Sequence, residues 1–424
     1  MLCLRHDSVK YADSYPLQNK TATRNILFVV HNSLPYDSAG YAHRTLHEAK
    51  AYQALGYNVI IATRLGYPWD LAKHKQLPKK RRQWIEGIEI ISLTGTRQYK
   101  VDSDLKYAMQ YAQKLAAIIH ERQIDVLQAS SNYINGLAAY FAARKCHIPF
   151  IYEARGMWHI TGGSKSAVFK NSDQFRYEEI MERQVLNHAS ANIFITDRMK
   201  QHYLSNTNIP SLVIRNCIDI KELQNNHTML AFRKGQTLKL LYAGSLVFYE
   251  GLETLIRTVT ELKTHKVTLD IMGDGPLKDH IEKRLTILDN PYIRYRGKLS
   301  RQALTKHYSQ YHGVIVPRIN CDVTQMVPPL KPLEALSHGV PVITSSLPAL
   351  KEQLADLQSV LYSEPGNMAS LKQQILYLMA HHAEILAQVK HDIKIIKKHK
   401  TWNIEITKLS QLIPLKKPLT AIGN

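Results

Sequence analysis

The 424 residues include only four cysteines, Cys3, Cys146, Cys217 and Cys321. They are scattered and make no CxxC pair, so a disulfide framework is excluded and a reducing compartment fits. No apolar run reaches the roughly 18 residues that span a bilayer. The opening stretch MLCLRHDSVKYADSYPLQNKTATR carries charges where a signal peptide needs an apolar segment. Residues 1–23 therefore read as a polar, mobile leader, and the expected location is the cytoplasm, with at most peripheral attachment at the inner membrane face. A Walker P-loop, a Gly-x-Ser-x-Gly elbow and an HExxH pair are all missing, although there are 20 histidines. Acid is scarce against base. The chain has 35 Asp and Glu against 55 Lys and Arg, a formal net charge of +20. That excess calls for an anionic partner: nucleic acid, acidic lipid headgroups or a phosphorylated ligand.

Two segments concentrate the basic charge. KHKQLPKKRRQW holds six basic residues between Lys73 and Arg82, and IKIIKKHK, near the end, adds four lysines. Neither interleaves aromatics as a nucleic-acid platform does, so no nucleic-acid partner is expected. Each suits a solvated face or the surface of an anionic membrane. Asp102-Ser103-Asp104 is a DxD, but it sits just before a helical pattern, where an N-cap is the simpler role. No metal site is expected. Gly273-Asp274-Gly275 is a lone GxG after a strand and reads as a tight turn.

What is present is alternation. RNILFVVH, YNVIIAT, IDVLQAS, PFIYEA and ANIFIT are short apolar strands, separated by helical patterns over 41–56, 105–121, 136–145 and 175–189. After a polar stretch at 220–235 the pattern restarts with LKLLYAG, VTLDIMG, IRYRG, GVIVPR and PVITS, again with helices between. Strands this apolar are covered on both faces. The fold class is α/β, with two doubly wound Rossmann-like domains over 24–215 and 216–394. A ligand cleft is expected at the carboxyl ends of their strands. A helix over about 395–418 is long enough to return to the first domain.

The segment MVPPLKPLEALSHGVPVITS, Met326 to Ser345, carries the most chemistry. Pro329 or Pro332 fits the first turn of a helix and Gly339 its end. A helix start offers free N–H groups, Lys331 lies in that turn, and Arg318 ends the preceding strand. Together they make an anion site strong enough for a diphosphate without a metal. Glu334, one turn in, can accept two hydroxyl hydrogen bonds, as from a ribose.

This segment resembles the C-terminal signature of the family 4 glycosyltransferases. Further likenesses run in order along the chain: NILFVVHNSLPYDSAGYAHRTLHEAK, IPFIYEARGMW, LLYAGSLVFYEGLETLI and LDIMGDGP. The resemblance implies the GT-B fold and retaining transfer of a sugar from a nucleotide-diphosphate donor, UDP or GDP, to a glycan or lipid-linked acceptor in cell-surface polysaccharide synthesis. It implies no other cofactor. It places catalysis at Arg318, Lys331, Glu153 and Arg155, and donor binding at Gly40, Gly244, Ser245, Gln325, Met326, Val327 and Glu334. The family's Glu-x7-Glu retains only its second glutamate, Glu334; Met326, beside Gln325, stands at the first. The Arg and Lys of its GRLxxxKG motif are Ser245 and Glu250 here, so Arg318 and Lys331 are expected to stand in for them. A subgroup with GSLxxYEG and PLKPLEA is similar to this chain. Arg155 occupies the place of a cleft histidine; it suits an acidic substrate group or, equally, an internal pair with Glu153. The rival readings are an inactive partner protein on this fold and a nucleotide-sugar epimerase.

Overall fold

The computed structural model describes residues 25–37, 39–204, 208–223 and 229–413. The expected leader at 1–23 and the last residues of the expected return helix, 414–418, lie outside these. The described residues divide into two compact units: one takes in those of 25–159, 173–214 and 406–413, the other those of 160–172 and 215–405.

In the first unit the strands are β1 (Asn25–Val30), β2 (Asn58–Thr63), β3 (Arg82–Ile85), β4 (Ile88–Ile91), β5 (Val126–Ser130), β6 (Phe150–Ala154), β7 (Ala191–Phe194) and β8 (Ser211–Val213). They form one sheet in the order β3-β4-β2-β1-β5-β6-β7-β8. Every pairing is parallel except that of β3 with β4. The second unit holds β9 (Leu238–Ala243), β10 (Val267–Met272), β11 (Ile293–Tyr295), β12 (Gly313–Val316), β13 (Val342–Ser345) and β14 (Val360–Ser363). Its order is β11-β10-β9-β12-β13-β14, all parallel. This is the doubly wound order, and the middle six strands of the first sheet repeat it. In each sheet the order reverses between the first and fourth strands of that set, β1/β5 and β9/β12. Ligands of such sheets bind there, beyond the carboxyl ends.

The helices that matter below are α1 (Gly40–Ala54), α2 (Asp104–Arg122), α3 (Tyr133–Cys146), α4 (Asp173–His188), α5 (Leu252–Glu261), α6 (Lys331–Ser337) and α7 (His382–His399). Sequence pattern locates α1 to α4 to within a few residues. Burial explains why: β1 is closed to solvent along almost its whole length, and β5, β6 and β7 are buried throughout. Strands β3, β4, β8 and β14 escape that reading. They are three or four residues long and lie at or beside the sheet edges, where apolar patterning is weakest.

The tail differs from expectation. No single helix runs over 395–418; α7 ends at His399, a short turn follows at Trp402–Glu405, and Ile406–Gln411 is 3-10. The hinge has a packing cause. Val389 and Ile396 are fully buried in the core of the second unit, which keeps α7 there. Ile406, Leu409 and Ile413 are buried, and the Ile413 carbonyl accepts a hydrogen bond from the Tyr57 hydroxyl, which assigns residues 406–413 to the first unit. The segment Ile160–Ser172 groups with the second unit, where Lys170 pairs with Asp322.

Burial lowers the titration of His159, in the first unit, and His312, in the second, to about 4; Glu179 partly opposes this at His159, whereas His382 and Lys239 add to it at His312. His312 accepts the Lys239 N–H at 2.9 Å, which needs its neutral form. Both imidazoles stay uncharged in the fold but take up protons in the unfolded chain near the ordinary value of about 6.5. Their contribution is complete above that pH and is lost as pH falls toward 4. Calorimetry is therefore expected to show the unfolding temperature falling between about pH 7 and about pH 5. The fall should be smaller in His312→Asn; an equal fall in both would count against this origin.

Candidate active site

In the second unit, β9 ends at Ala243 and the chain turns through Gly244, whose φ of 154° favours glycine. A Cβ at that position would land on the Lys331 side chain. Gly251, at φ 72°, packs against the Pro317 carbonyl, where a Cβ would collide. These two approaches bring the ends of β9 and β12 and the start of α6 to one point, beside the β9/β12 reversal.

Glu250 stands at that point. Its side chain is 5 % exposed; Oε2 lies 2.6 Å from Lys331 Nζ and Oε1 3.3 Å from Arg318 Nε. Lys331 also donates to the Tyr242 hydroxyl at 3.0 Å, and that hydroxyl donates to the Ser245 carbonyl at 2.7 Å. Arg318 donates to the Val327 carbonyl at 2.7 Å and lies over the Tyr249 ring. Burial pushes the Glu250 carboxyl up, but Lys331 and Arg318 outweigh it and hold the group below its ordinary range. Burial lowers the Lys331 ammonium despite the partial offset from Glu250. Two cations and one carboxylate leave a formal surplus of one positive charge. Truncating one member of such a buried cluster would strand the others.

The remaining expected donor residues surround this point without joining it directly. Ser245 is exposed. Gln325 donates to Asn320 at 2.8 Å, Met326 closes the short helix Asp322–Met326, and Val327 supplies the carbonyl that Arg318 grips. Helix α6 is only seven residues long, with proline in its first turn and Gly339 at φ 78° just past its end. Glu334, one turn in, faces Arg301 rather than standing open: its Oε1 lies 3.0 Å from Arg301 Nη2, which also donates to Glu222 at 2.8 Å. Part of the carboxylate assigned to ribose is therefore committed to an ion pair.

In the first unit Gly40 opens α1 and is exposed. Glu153 and Arg155, expected to meet substrate, lie instead in a closed network. Arg155 Nη2 is 2.7 Å from Glu48 and 2.8 Å from Glu153; its Nη1 donates to the Thr45 hydroxyl and the Tyr41 carbonyl. Arg44 approaches Glu153 to 2.8 Å and donates to the Ile214 carbonyl. Gln128 donates to both glutamates, and Ser130 to Glu153. All four charged side chains are 3 % exposed or less. Burial and the nearby Glu153 push Glu48 up to about 7. Burial also drives Glu153 upward, yet Arg155 and Arg44 overcome this and hold it well below the carboxylate range. The network lies beneath the strand ends and ties α1 to β5 and β6. Arg155 is closed to solvent in this network, and its planar fork is committed to Glu48, Glu153 and Thr45. Arg44 and Glu48 were missed from sequence. Their signal is a basic and an acidic residue one turn apart on α1, matched to Glu153 inside an otherwise apolar strand.

Above the network, at the β1/β5 reversal, His31 is buried between the Tyr99 and Trp158 rings. Burial, then Arg64 and Lys100, keep it neutral. Arg64 is tied to Asp70, the His31 carbonyl and Asn32. The DxD resolves into two separate roles. Asp102 accepts the Gln98 N–H and pairs with Arg97; Asp104 accepts the Tyr133 hydroxyl. Ser103 is the N-cap residue of α2, without a side-chain cap bond. Among the described residues no group of three or more His, Cys, Asp or Glu is arranged to hold a metal.

Two family profiles match the chain: residues 39–216 match a glycosyl transferase 4-like domain and residues 237–381 match glycosyl transferases group 1. Between them they take in well over half of the sequence, in the order the two units require. The chain belongs to the glycosyltransferase family that these two domains define. Among curated glycosyltransferases of Methanocaldococcus jannaschii, MJ1178 is 22% identical over 262 residues, 62% of this chain and 67% of its own length. MJ1607 is 27% identical over 134 residues, 31% of this chain; the chain spans only 33% of that relative. Sucrose-phosphate synthase from Thermosynechococcus elongatus superposes with TM-score 0.74 at 15% identity, over 92% of this glycosyltransferase and 98% of the solved chain. Anabaena HepE, solved with UDP and glucose, gives 0.67 at 13% identity, over 91% and 98%. These likenesses establish the fold, the GT-B class.

Replacing Arg155 by His breaks a buried ion pair and is expected to cost about 3 kcal/mol or more. The melting temperature should fall, and any transfer activity should fall equally on matched neutral and acidic acceptors. A selective loss on the acidic acceptor would return Arg155 to the substrate.

Proposed function

We propose that the protein transfers a sugar from a nucleotide-diphosphate sugar to a glycan or lipid-linked acceptor, with retention at the anomeric carbon, in cell-surface polysaccharide synthesis. The convergence of Arg318 and Lys331 on Glu250, beside the β9/β12 reversal, carries this reading. Cleavage of the bond from the sugar C1 to the diphosphate leaves growing charge on phosphate oxygen. Fixed cations aimed at that oxygen stabilise the transition state. The acceptor hydroxyl attacks from the face the diphosphate leaves, and its proton passes to the departing phosphate oxygen, so no carboxylate base is required. Glu250 acts as a positioning residue that holds the ammonium and guanidinium in place before the donor arrives. UDP and GDP are the donor bases we favour, with no metal. HepE, solved with UDP-glucose, supports this choice by analogy of fold.

One observation favours a second reading. Glu250 already neutralises part of the cationic charge, which suits a partner protein that binds a donor without turning it over. The same experiment separates the two. A thermal-shift screen over UDP-, GDP-, ADP- and CMP-sugars should reveal stabilisation by one donor class. Transfer to acceptor should survive EDTA and fall at least about 100-fold in Lys331→Ala. Donor binding without turnover supports the partner reading; turnover of donor with no acceptor product indicates an epimerase. Near-normal rates in both Lys331→Ala and Arg318→Ala would sink the site assignment.

The setting we propose is the cytoplasmic side of an anionic membrane. Among the described residues no helix is long and apolar enough to cross one. Lys73, Lys75, Lys79, Lys80 and Arg81 are all exposed. Each is worth roughly 1 kcal/mol near such a surface. The protein should sediment with phosphatidylcholine vesicles containing phosphatidylserine, and Lys79→Glu with Lys80→Glu should abolish this. Equal sedimentation with pure phosphatidylcholine would refute the electrostatic contact.

A further inference from the structure

The first unit has a cavity of about 540 Å³ at the opposite end of its sheet from the ligand-binding strand ends. Its walls include Asn58 at the start of β2, Gly87 in the β3–β4 turn, and Gln123 just before β5. It therefore opens at the amino ends of the strands, and the reading of the donor site leaves it unused.

Three features of the cavity point one way. Trp84, on edge strand β3, lines it while keeping 70 % of its surface exposed. Planar hydrogen-bonding groups share the lining with that ring. Glu89, cross-strand from Trp84, accepts from Arg122 at 3.0 Å. Glu121 accepts from Arg82 at 2.7 Å. Arg122 Nε is buried and makes no hydrogen bond; it stands 3.4 Å from Glu121. Finally, the two arginines and two glutamates balance in charge, so the cavity has no net pull on an anion.

An exposed indole beside planar, charge-balanced donors and acceptors suits a ligand with an apolar C–H face and a rim of hydroxyls. Hydrocarbon would leave the two ion pairs without solvent, and a phosphate would meet both carboxylates. We infer that this cavity is a second, non-catalytic binding site for a neutral saccharide, stacked on Trp84 and hydrogen-bonded to Glu121, Glu89 and Arg122. A transferase acting on a growing glycan would gain from it, since a second attachment raises the local concentration of the chain. That advantage rests on the proposed activity; the binding itself does not.

The test uses the full chain without donor. Neutral hexasaccharides of α-glucan, β-glucan, mannan, galactan and N-acetylglucosamine are compared with an alginate hexasaccharide by saturation-transfer NMR and calorimetry. At least one neutral probe should bind, about tenfold or more weaker in Trp84→Ala and in Glu121→Ala, and with little change in Trp84→Phe. Nucleotide stabilisation is measured in parallel and should be unaltered in all three variants, so failure of the donor site and failure of this cavity read out separately. Thermal unfolding checks that the variants fold. Four results would overturn the assignment: no binding by any neutral probe, binding indifferent to Trp84→Ala, binding of alginate alone, or loss of vesicle sedimentation as the sole effect of Trp84→Ala.

Discussion

A single buried carboxylate organises the second unit's site. Lys331 and Arg318 come from different elements and would repel one another if brought together alone. Glu250 lies between them, with one oxygen for each. The backbone conforms to this arrangement: a side chain at Gly244 or Gly251 would displace it. Tyr242 and Val327 then fix the heads of the two cations. The position where the family commonly has a lysine thus holds an acid, and the cations arrive from elsewhere. A diphosphate bound there, as proposed, would have to compete with Glu250 for both cations, which would make donor binding and local packing depend on the same charges.

The first unit repeats this solution with a different purpose. Arg44, Glu48, Glu153 and Arg155 neutralise one another beneath the strand ends, and Gln128 and Ser130 satisfy the remaining oxygens. Buried pairs of this kind contribute little net stability against an apolar alternative but penalise any wrong pairing. Their effect is to fix α1 against β5 and β6.

Most of the architecture was legible in the chain because a strand covered on both faces must be mostly apolar, as β1, β5, β6 and β9 are. The edge strands β3, β8 and β14 were not, since β3 follows directly on a run of charge and β8 and β14 are too short to show a period. Arg318 and Lys331 were legible as a pair from their places at a strand end and a helix start. What sequence could not show was their common partner: Glu250 lies 68 and 81 residues away from them, and it appeared only as a missing lysine. Arg155 shows the same limit. Its spacing from Glu153 allowed either a substrate contact or an internal pair, and the partners that α1 brings to it, Glu48 and Thr45, could not be read from that spacing.

The antiparallel strand β3 has a further consequence. It terminates an otherwise parallel sheet, so its outer backbone edge has the geometry that recruits a strand from another molecule. The run Lys79-Lys80-Arg81-Arg82 leads into that edge, with every member exposed. Two such edges approaching each other would bring eight positive charges together. The basic excess therefore guards the sheet against edge-to-edge association, a protection that should weaken at high ionic strength, where the charges are screened.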